Sequence, residues 1–316
     1  MKILMFHDVG LSYGQIRDEE HIAKGFRNLG IEIFQNDESK LLEVDLILCF
    51  KAKRFGVEDV KRWKTITKSP IWCFTFDNMD RFPQWYPLIK ECDLWLGEEL
   101  GRRERFIQEG LPFYYFPYHA VPEGIFKKIE TPKLYDVVFT GTPYGADYKP
   151  DKFELLKAIQ DKFNLFIWGN NPEGWKAKGF NNVFNGVFDE QLSQIYGQSK
   201  IAIAISNCQC EGYWSIRTSQ CLMSGILTLV RYTPQMEKEL KDNVVYFQDI
   251  PNCLEKIDYY LKHDKEREEI AQRVYEYAQQ FLTTKQRLRE LLILYENRNS
   301  IALFAGNRVP TSNGRC

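Results

Sequence analysis

IAIAISNCQCEGYWSIRTSQCLMSGILTLVRYTPQMEKEL, residues 201–240, is the stretch on which the fold turns. It opens as a continuous apolar run of the kind a strand buried on both faces needs. A polar loop with Glu211 and Gly212 follows, and a helix opens near Ser215 with Arg217 in its first turns. A second apolar run at 227–230 and a helical segment at 234–241 complete a strand–helix–strand–helix cadence, the signature of a parallel sheet. The helix start exposes unpaired backbone N–H groups and a partial positive charge, and Arg217 adds a bidentate fork. Together these suit a diphosphate. Gln220 lies one turn further on roughly the same face, where it can hydrogen-bond a hydroxyl. The same residues also suit a plain alternative, an arginine salt-bridged on a solvated helix.

The cadence extends in both directions. Upstream, strands are expected near 2–7, 31–35, 44–49, 70–75, 93–96 and 113–116, with helices near 17–29, 58–68 and 98–109. Residues 116–136 carry Pro117, Pro122 and Pro132, a composition that breaks helices and suits a connection between domains. A second series follows, with strands expected at 136–140, 164–168, 200–205, 227–230 and 244–247. Its helices are expected at 151–161, 189–197, 215–224, 234–241 and 252–262. From 265 to about 298 the pattern is helical with a break at Thr283–Thr284, and the end from Gly306 reads as loose. The expected fold class is α/β, with two Rossmann-like domains facing across a cleft and a C-terminal helix crossing back to the first. The domains are 1–118 with a helix at about 284–300, and 119–283, followed by a tail at 301–316.

Composition narrows the chemistry. The chain of 316 residues has 42 Lys+Arg against 43 Asp+Glu, so the molecule as a whole carries no electrostatic footprint for nucleic acid. No window approaches the 18 apolar residues of a membrane span. The eight cysteines are scattered and no Asn-x-Ser/Thr sequon occurs, which leads us to expect reduced thiols and a cytoplasmic location. There is no G-x-G-x-x-G after the first strand, no G-x-S-x-G, no H-E-x-x-H and no C-x-x-C. Gly169-Asn-Asn-Pro-Glu-Gly174-Trp-Lys176 imitates a phosphate-binding loop but puts Trp175 where lysine must follow glycine. Four dispersed histidines, at 7, 21, 119 and 263, and the isolated Cys208-Gln-Cys210 pair argue against a zinc site, and no metal or cofactor is expected.

Arg217-Thr-Ser-Gln220-Cys-Leu-Met-Ser-Gly225 resembles the donor-binding pattern R-x-x-E-x-x-x-x-G of GT-B glycosyltransferases, in particular the CgeB/YkvP-like group related to glycosyltransferase families 1 and 4. The likeness extends to Tyr135-Asp-Val-Val-Phe-Thr-Gly-Thr142, to Trp72–Asp77 and to Leu111–Pro117, spanning residues from about 70 to 282. The chain departs from the pattern at two places: Gln220 replaces the glutamate, and Gly212 stands eight residues before it, with Glu211 one position off. A glutamine can still bond ribose hydroxyls, but it is not a carboxylate. The resemblance implies a GT-B fold and a glycosyltransferase that moves a sugar from a nucleotide-sugar to an acceptor hydroxyl. It also implies roles on the donor side. Backbone at Gly141 and Thr142 would approach the phosphates, Arg217 would neutralise the diphosphate and Gln220 would hold the ribose. Trp168-Gly169 and Val187-Phe188 would flank the base, although core packing is the competing reading for Trp168 and Phe188. No metal is required if helix and arginine carry the charge.

Acceptor chemistry is expected from loops of the first domain. His7, Asp8, Asp77 and His119 are the candidate general bases, the two aspartates ranking ahead, with caps and salt bridges as competing roles for each. Lys51, Lys53, Arg54, Lys61, Arg62 and Lys64 put six basic residues against two acidic ones in fourteen positions. A nucleic acid is therefore one possible acceptor, as in an enzyme that glycosylates modified DNA bases, with solvated helix faces as the alternative. A non-catalytic sugar-nucleotide-binding or structural protein and, more remotely, a sugar-nucleotide epimerase are the other readings.

Overall fold

The computed structural model describes residues 1–8, 11–12, 15–50, 55–76, 83–143, 150–206 and 210–298. Contacts divide the chain into two units. One comprises Met1–Leu11, Ile16–Tyr118 and the chain from Arg287; the other comprises Ser12–Gln15 and His119–Gln286.

Up to Tyr118 the described strands are β1 (Lys2–Phe6), β2 (Leu11–Ser12), β3 (Gln15–Ile16), β4 (Glu32–Gln35), β5 (Leu46–Phe50), β6 (Ile71–Phe74), β7 (Leu94–Gly97) and β8 (Phe113–Tyr115), of which β2 and β3 each have one residue in either unit. Helices α1 (Asp18–Asn28), α2 (Val57–Ile66), α3 (Tyr86–Glu91) and α4 (Arg103–Gln108) connect them. Among the described residues β2 and β3 pair with each other, and the other six form one parallel sheet in the order β4-β1-β5-β6-β7-β8. Every residue of β5 (LILCF) is buried, as a central strand covered by helices on both faces requires. On one face Phe6 stacks on Trp63 of α2 with ring centroids 4.0 Å apart. The expected helix at 98–109 shortens to α4, because Glu98 and Glu99 are buried at the end of β7 instead of continuing an amphipathic face. Helix α3 was not expected from the sequence.

The second unit contains β9 (Tyr135–Thr140), α5 (Pro150–Lys162), β10 (Leu165–Gly169), α6 (Pro172–Ala177), β11 (Asn182–Asn185), α7 (Asp189–Gly197) and β12 (Ser199–Ala204). It continues with α8 (Ile216–Met223), β13 (Leu227–Arg231), α9 (Pro234–Leu240), β14 (Val245–Phe247), α10 (Ile250–Lys262) and α11 (Asp264–Phe281). The described strands form a parallel sheet in the order β11-β10-β9-β12-β13-β14. One face packs on α5, α6 and α10 through Leu155, Trp175 and Ile257, the other on α7, α8 and α11 through Tyr196, Leu222 and Val274. Strand β11 and helix α6 escaped the sequence reading: Asn182 and Asn185 bracket a short, partly exposed edge strand that reads as a turn.

The helical C-terminus breaks where expected. Val121 accepts from Thr284 N–H and donates to Leu282 C=O, both at 3.0 Å, which pins the break to the proline-rich connection. Beyond it α12 (Thr284–Glu296) returns to the first unit, where Tyr295 donates to the Asp45 carbonyl at 2.9 Å and lies against Trp72.

Candidate functional site

In an open parallel sheet the crevice for a ligand lies at the carboxyl ends of the strands where the strand order reverses. For the second unit that point is between β9 and β12, and α8 begins immediately beyond β12. Ser215 caps α8 by accepting from Arg217 N–H at 3.4 Å, and its own N–H donates to Ser206 Oγ at 2.9 Å. At the other end Gly225, with φ +63°, donates to Leu222 C=O while Ile226 donates to Cys221 C=O. This Schellman ending satisfies the last carbonyls and needs the left-handed residue that glycine supplies. The spacing from Arg217 to Gly225 is thus the length of one short helix, with the cation at its start and the stop signal at its end.

Arg217 reaches across the switch point. Its Nε–H donates to Thr140 Oγ1 on β9 at 3.2 Å, its Nη1 donates to the Ile205 carbonyl after β12 at 2.8 Å, and the guanidinium lies over the Phe139 ring at 5.1 Å. The chain turning away from β9 allows no side chain here: Gly141 has φ +149°, and a Cβ there would meet Arg217 Nη2 at 2.8 Å. Gly169 at the end of β10 is packed still closer, since its Cβ would fall 2.0 Å from the Gly141 carbonyl oxygen. That carbonyl also accepts from Trp175 Nε1 at 3.0 Å. Trp175, which breaks the apparent phosphate-loop motif, therefore holds the Gly141 turn. The segment itself is a capped helix start, with Asn171 accepting from Gly174 N–H.

A second cation at this point was missed from the sequence. Lys152, in the first turn of α5, is 5% exposed, donates to the Thr142 carbonyl at 2.7 Å, and lies over Trp175, Phe139 and Phe153 at 5.2–5.7 Å. Aromatic faces offset part of the cost of burying an ammonium. A cation in the first turn of a helix nevertheless opposes the helix dipole. With Arg217 on the same ring, two side-chain cations gather positive potential at the β9–β12 switch point. Lys152 falls in a lysine-rich amphipathic stretch and carries no motif of its own; only the contact with Thr142 singles it out.

The remaining donor-side residues are placed as follows. Thr142 presents its carbonyl to Lys152. Trp168 is buried in the core, stacked on Phe184 at 4.9 Å and packed against Tyr135, as its core-packing reading has it, with Gly169 following at the strand end. Val187 is half-buried against the core, and Phe188 precedes α7 as its cap residue. Gln220 is half-buried on α8. Glu211 is exposed, and Gly212 adopts φ +80°, a conformation that a glutamate at that position could hold only under strain.

In the first unit His7 is fully buried with both ring nitrogens engaged. Gln35 Oε1 accepts from Arg27 at 2.5 Å, so its amide nitrogen must donate, and it does so to His7 Nε2 at 2.9 Å and Glu20 Oε2 at 3.0 Å. The His7 proton consequently sits on Nδ1, directed at the Asp8 carbonyl 2.8 Å away. This network orders the chain leaving β1 and engages both ring nitrogens of His7, which the isolated sequence could not reveal. Asp8 follows at an intermediate level of burial. Nearby Glu19 is buried, and desolvation raises its pKa above the ordinary carboxylate value despite a backbone hydrogen bond and attraction from Arg17. His119 belongs to the second unit: it is buried at φ +32°, its ring lies 4.5 Å from Trp214, and its carbonyl accepts from Ser219 Oγ. Asp77 lies outside the described residues.

The described part of the basic stretch is paired with carboxylates. Lys61 pairs with Glu58, Arg62 with Glu38 and Asp59, and Lys64 with Asp93, all at 2.6–3.0 Å. Lys51, Lys53 and Arg54 lie outside the described residues. Among those residues no group of three His, Cys, Asp or Glu side chains could hold a metal ion, and no helix is long and apolar enough to cross a membrane.

Residues 152–293 match a protein-family model described as glycosyl transferase-like. No curated protein matches the chain in sequence. Among solved structures, Anabaena HepE in complex with UDP and glucose superposes with a TM-score of 0.63 at 15% identity, covering 92% of this chain and 99% of that one. Sucrose-phosphate synthase from Thermosynechococcus elongatus gives 0.63 at 10%, covering 97% and 100%. A DNA-modifying β-glucosyltransferase solved with and without uridine diphosphoglucose gives 0.63 at 13%, covering 96% and 99%. The fold is GT-B.

Proposed function

We propose that this protein is a glycosyltransferase of the CgeB/YkvP-like group that transfers a sugar from a nucleotide-sugar to an acceptor hydroxyl. The observation that carries the reading is the pair of cations, Arg217 and Lys152, at the β9–β12 switch point beside Gly141, whose lack of a side chain lets backbone approach a diphosphate. Arg217 and Lys152 neutralise the leaving diphosphate with the help of the α8 N-terminus. Gln220, three residues along α8, bonds the ribose, and the turns at Gly169 and Val187–Phe188 border the base. Because protein cations supply this charge, transfer proceeds without a metal. For the acceptor proton we assign Asp8 ahead of His7, whose nitrogens are committed within the fold, and His119, which is packed on Trp214. Asp77 keeps its place beside Asp8 on sequence grounds. The family model over 152–293 and the UDP and UDP-glucose complexes of proteins with this fold support the reading.

A thermal-shift panel of UDP, GDP, ADP, CMP and their sugars, on the parent and on Arg217→Ala, tests it. A ligand at 100 times its Kd should stabilise by roughly 2.7 kcal/mol. The expected result is a selective shift that the mutant loses and that EDTA leaves unchanged. Absence of any shift in the parent, or an Arg217→Ala response equal to the parent's, would refute the donor site. The left-handed Gly212 and the amide at Gln220 favour one second reading, donor binding without turnover, which would show as a shift with neither transfer nor hydrolysis of the sugar.

A further inference from the structure

Behind Arg217 lies a buried polar chain that the donor-site reading does not use. Thr140 is 7% exposed, Tyr196 1% and Cys221 0%, and they come from β9, α7 and α8. Arg217 Nε–H donates to Thr140 Oγ1 at 3.2 Å, Thr140 Oγ1 and Tyr196 Oη are 2.7 Å apart, and Cys221 belongs to the same buried cluster as Tyr196. A guanidinium can only donate, so Thr140 must turn a lone pair toward Arg217. Its second lone pair or its proton meets the Tyr196 hydroxyl.

The chain leaves α8 at Arg217, crosses the end of β9 at Thr140 and ends on α7 at Tyr196. Cys221, four residues after Arg217 on α8 and on the same face, is buried in the same cluster as Tyr196. Burial raises the pKa of Tyr196 well above its usual value and that of Cys221 to about 12, so tyrosine and cysteine stay protonated and neutral at physiological pH. Buried polar chains of this kind, with every member satisfied, hold one geometry.

We propose that Thr140 and Tyr196 are positioning residues that lock the Arg217 guanidinium in its diphosphate-binding orientation, through the chain of hydrogen bonds joining α8, β9 and α7. The inference rests on the donor-site reading above. With Nε held by Thr140, Nη1 by the Ile205 carbonyl and the plane by Phe139, the fork arrives without a search over rotamers. Nη2 is then set beside the bare backbone of Gly141.

The test is calorimetric titration of the parent, Thr140→Val, Thr140→Ser and Tyr196→Phe with UDP, or whichever diphosphate the panel selects, and with the matching nucleoside. Loss of one buried hydrogen bond to the cation's support should weaken diphosphate binding roughly tenfold in Thr140→Val and roughly threefold in Tyr196→Phe, with nucleoside affinity unchanged. Thr140→Ser, which keeps the hydroxyl, should recover most of the loss. Parental diphosphate affinity in Thr140→Val, equal losses for diphosphate and nucleoside, or no recovery in Thr140→Ser would each overturn the proposal. If Thr140→Val does not fold, the same comparison in Tyr196→Phe decides. A parent that binds no nucleoside diphosphate refutes the donor site itself and this inference with it, a failure recognisable before any variant is measured.

Discussion

Replacing Gly169 by alanine adds one methyl group at the tightest backbone crossing near the site. The new Cβ would stand 2.0 Å from the Gly141 carbonyl oxygen and 2.8 Å from Trp175 Nε1, and both neighbours belong to structure that cannot swing aside. Opening the first contact to the 3.4 Å of ordinary van der Waals separation moves the Gly141 turn or β10 by about 1.4 Å. Such overpacking costs about 1–3 kcal/mol. A shift of that size also breaks the 3.0 Å bond from Trp175 Nε1 to Gly141 and strains the 2.9 Å bond from Gly141 N–H to Trp168. Leaving a buried indole N–H without its acceptor adds about 1–3 kcal/mol. The total is about 4 kcal/mol, which in a unit of this size lowers Tm by about 8–16 °C. Differential scanning calorimetry of Gly169→Ala measures it. Gly56→Ala is the control, because no atom lies within 4 Å of its Cβ and its φ is not positive; its cost should stay below about 1 kcal/mol. A Gly169→Ala melting point within 2 °C of the control would show that the crossing is not the constraint it is taken to be.

Two further outcomes are expected. Lys152→Met keeps the length of the stem and its aromatic contacts but removes the charge, so diphosphate affinity in titration calorimetry should fall about tenfold, as for a lost charge-assisted contact, while nucleoside affinity holds; unchanged diphosphate affinity would remove Lys152 from the site. Glu19 has a folded-state pKa raised by burial, so the folded protein holds its proton more tightly than the unfolded chain, and charging Glu19 opposes folding as pH rises through that value. Melting curves of Glu19→Gln should therefore lie above the parent at pH 7 and converge with it near pH 4, and a variant less stable at pH 7 would contradict the assignment.

The parallel sheets were legible in local pattern because strands covered on both faces must be apolar throughout. The runs KILMF, LILCF, YDVVFT and SKIAIA stand out against helical segments with one apolar stripe. Elements whose surroundings are mixed were not legible. Strand β11 carries an exposed Phe184 between asparagines, and α3 and α6 are single short helices begun by Pro87 and Pro172. At the site, Arg217, Gln220 and Gly225 could be read because capping and chain reversal tie them to one short helix. Lys152 could not, since its burial depends on rings contributed by Phe139 and Trp175 from other elements. His7 shows the same limit from the other side. A histidine after a strand suggests proton transfer, yet Gln35, fixed by Arg27, consumes its second nitrogen.

Periodicity, glycine stops and the proline-rich connection were sufficient to specify the fold class and the motif around Arg217, since backbone geometry and the burial of apolar faces act over a few neighbouring residues. What the guanidinium touches, which cation joins it, and how each histidine is held depend on groups up to 100 residues apart in sequence. Those distances are closed only when α7, α8 and the ends of β9 and β12 pack together. Hydrogen bonds and charges act over a few ångströms of space, so they are assigned by that packing and not by order along the chain.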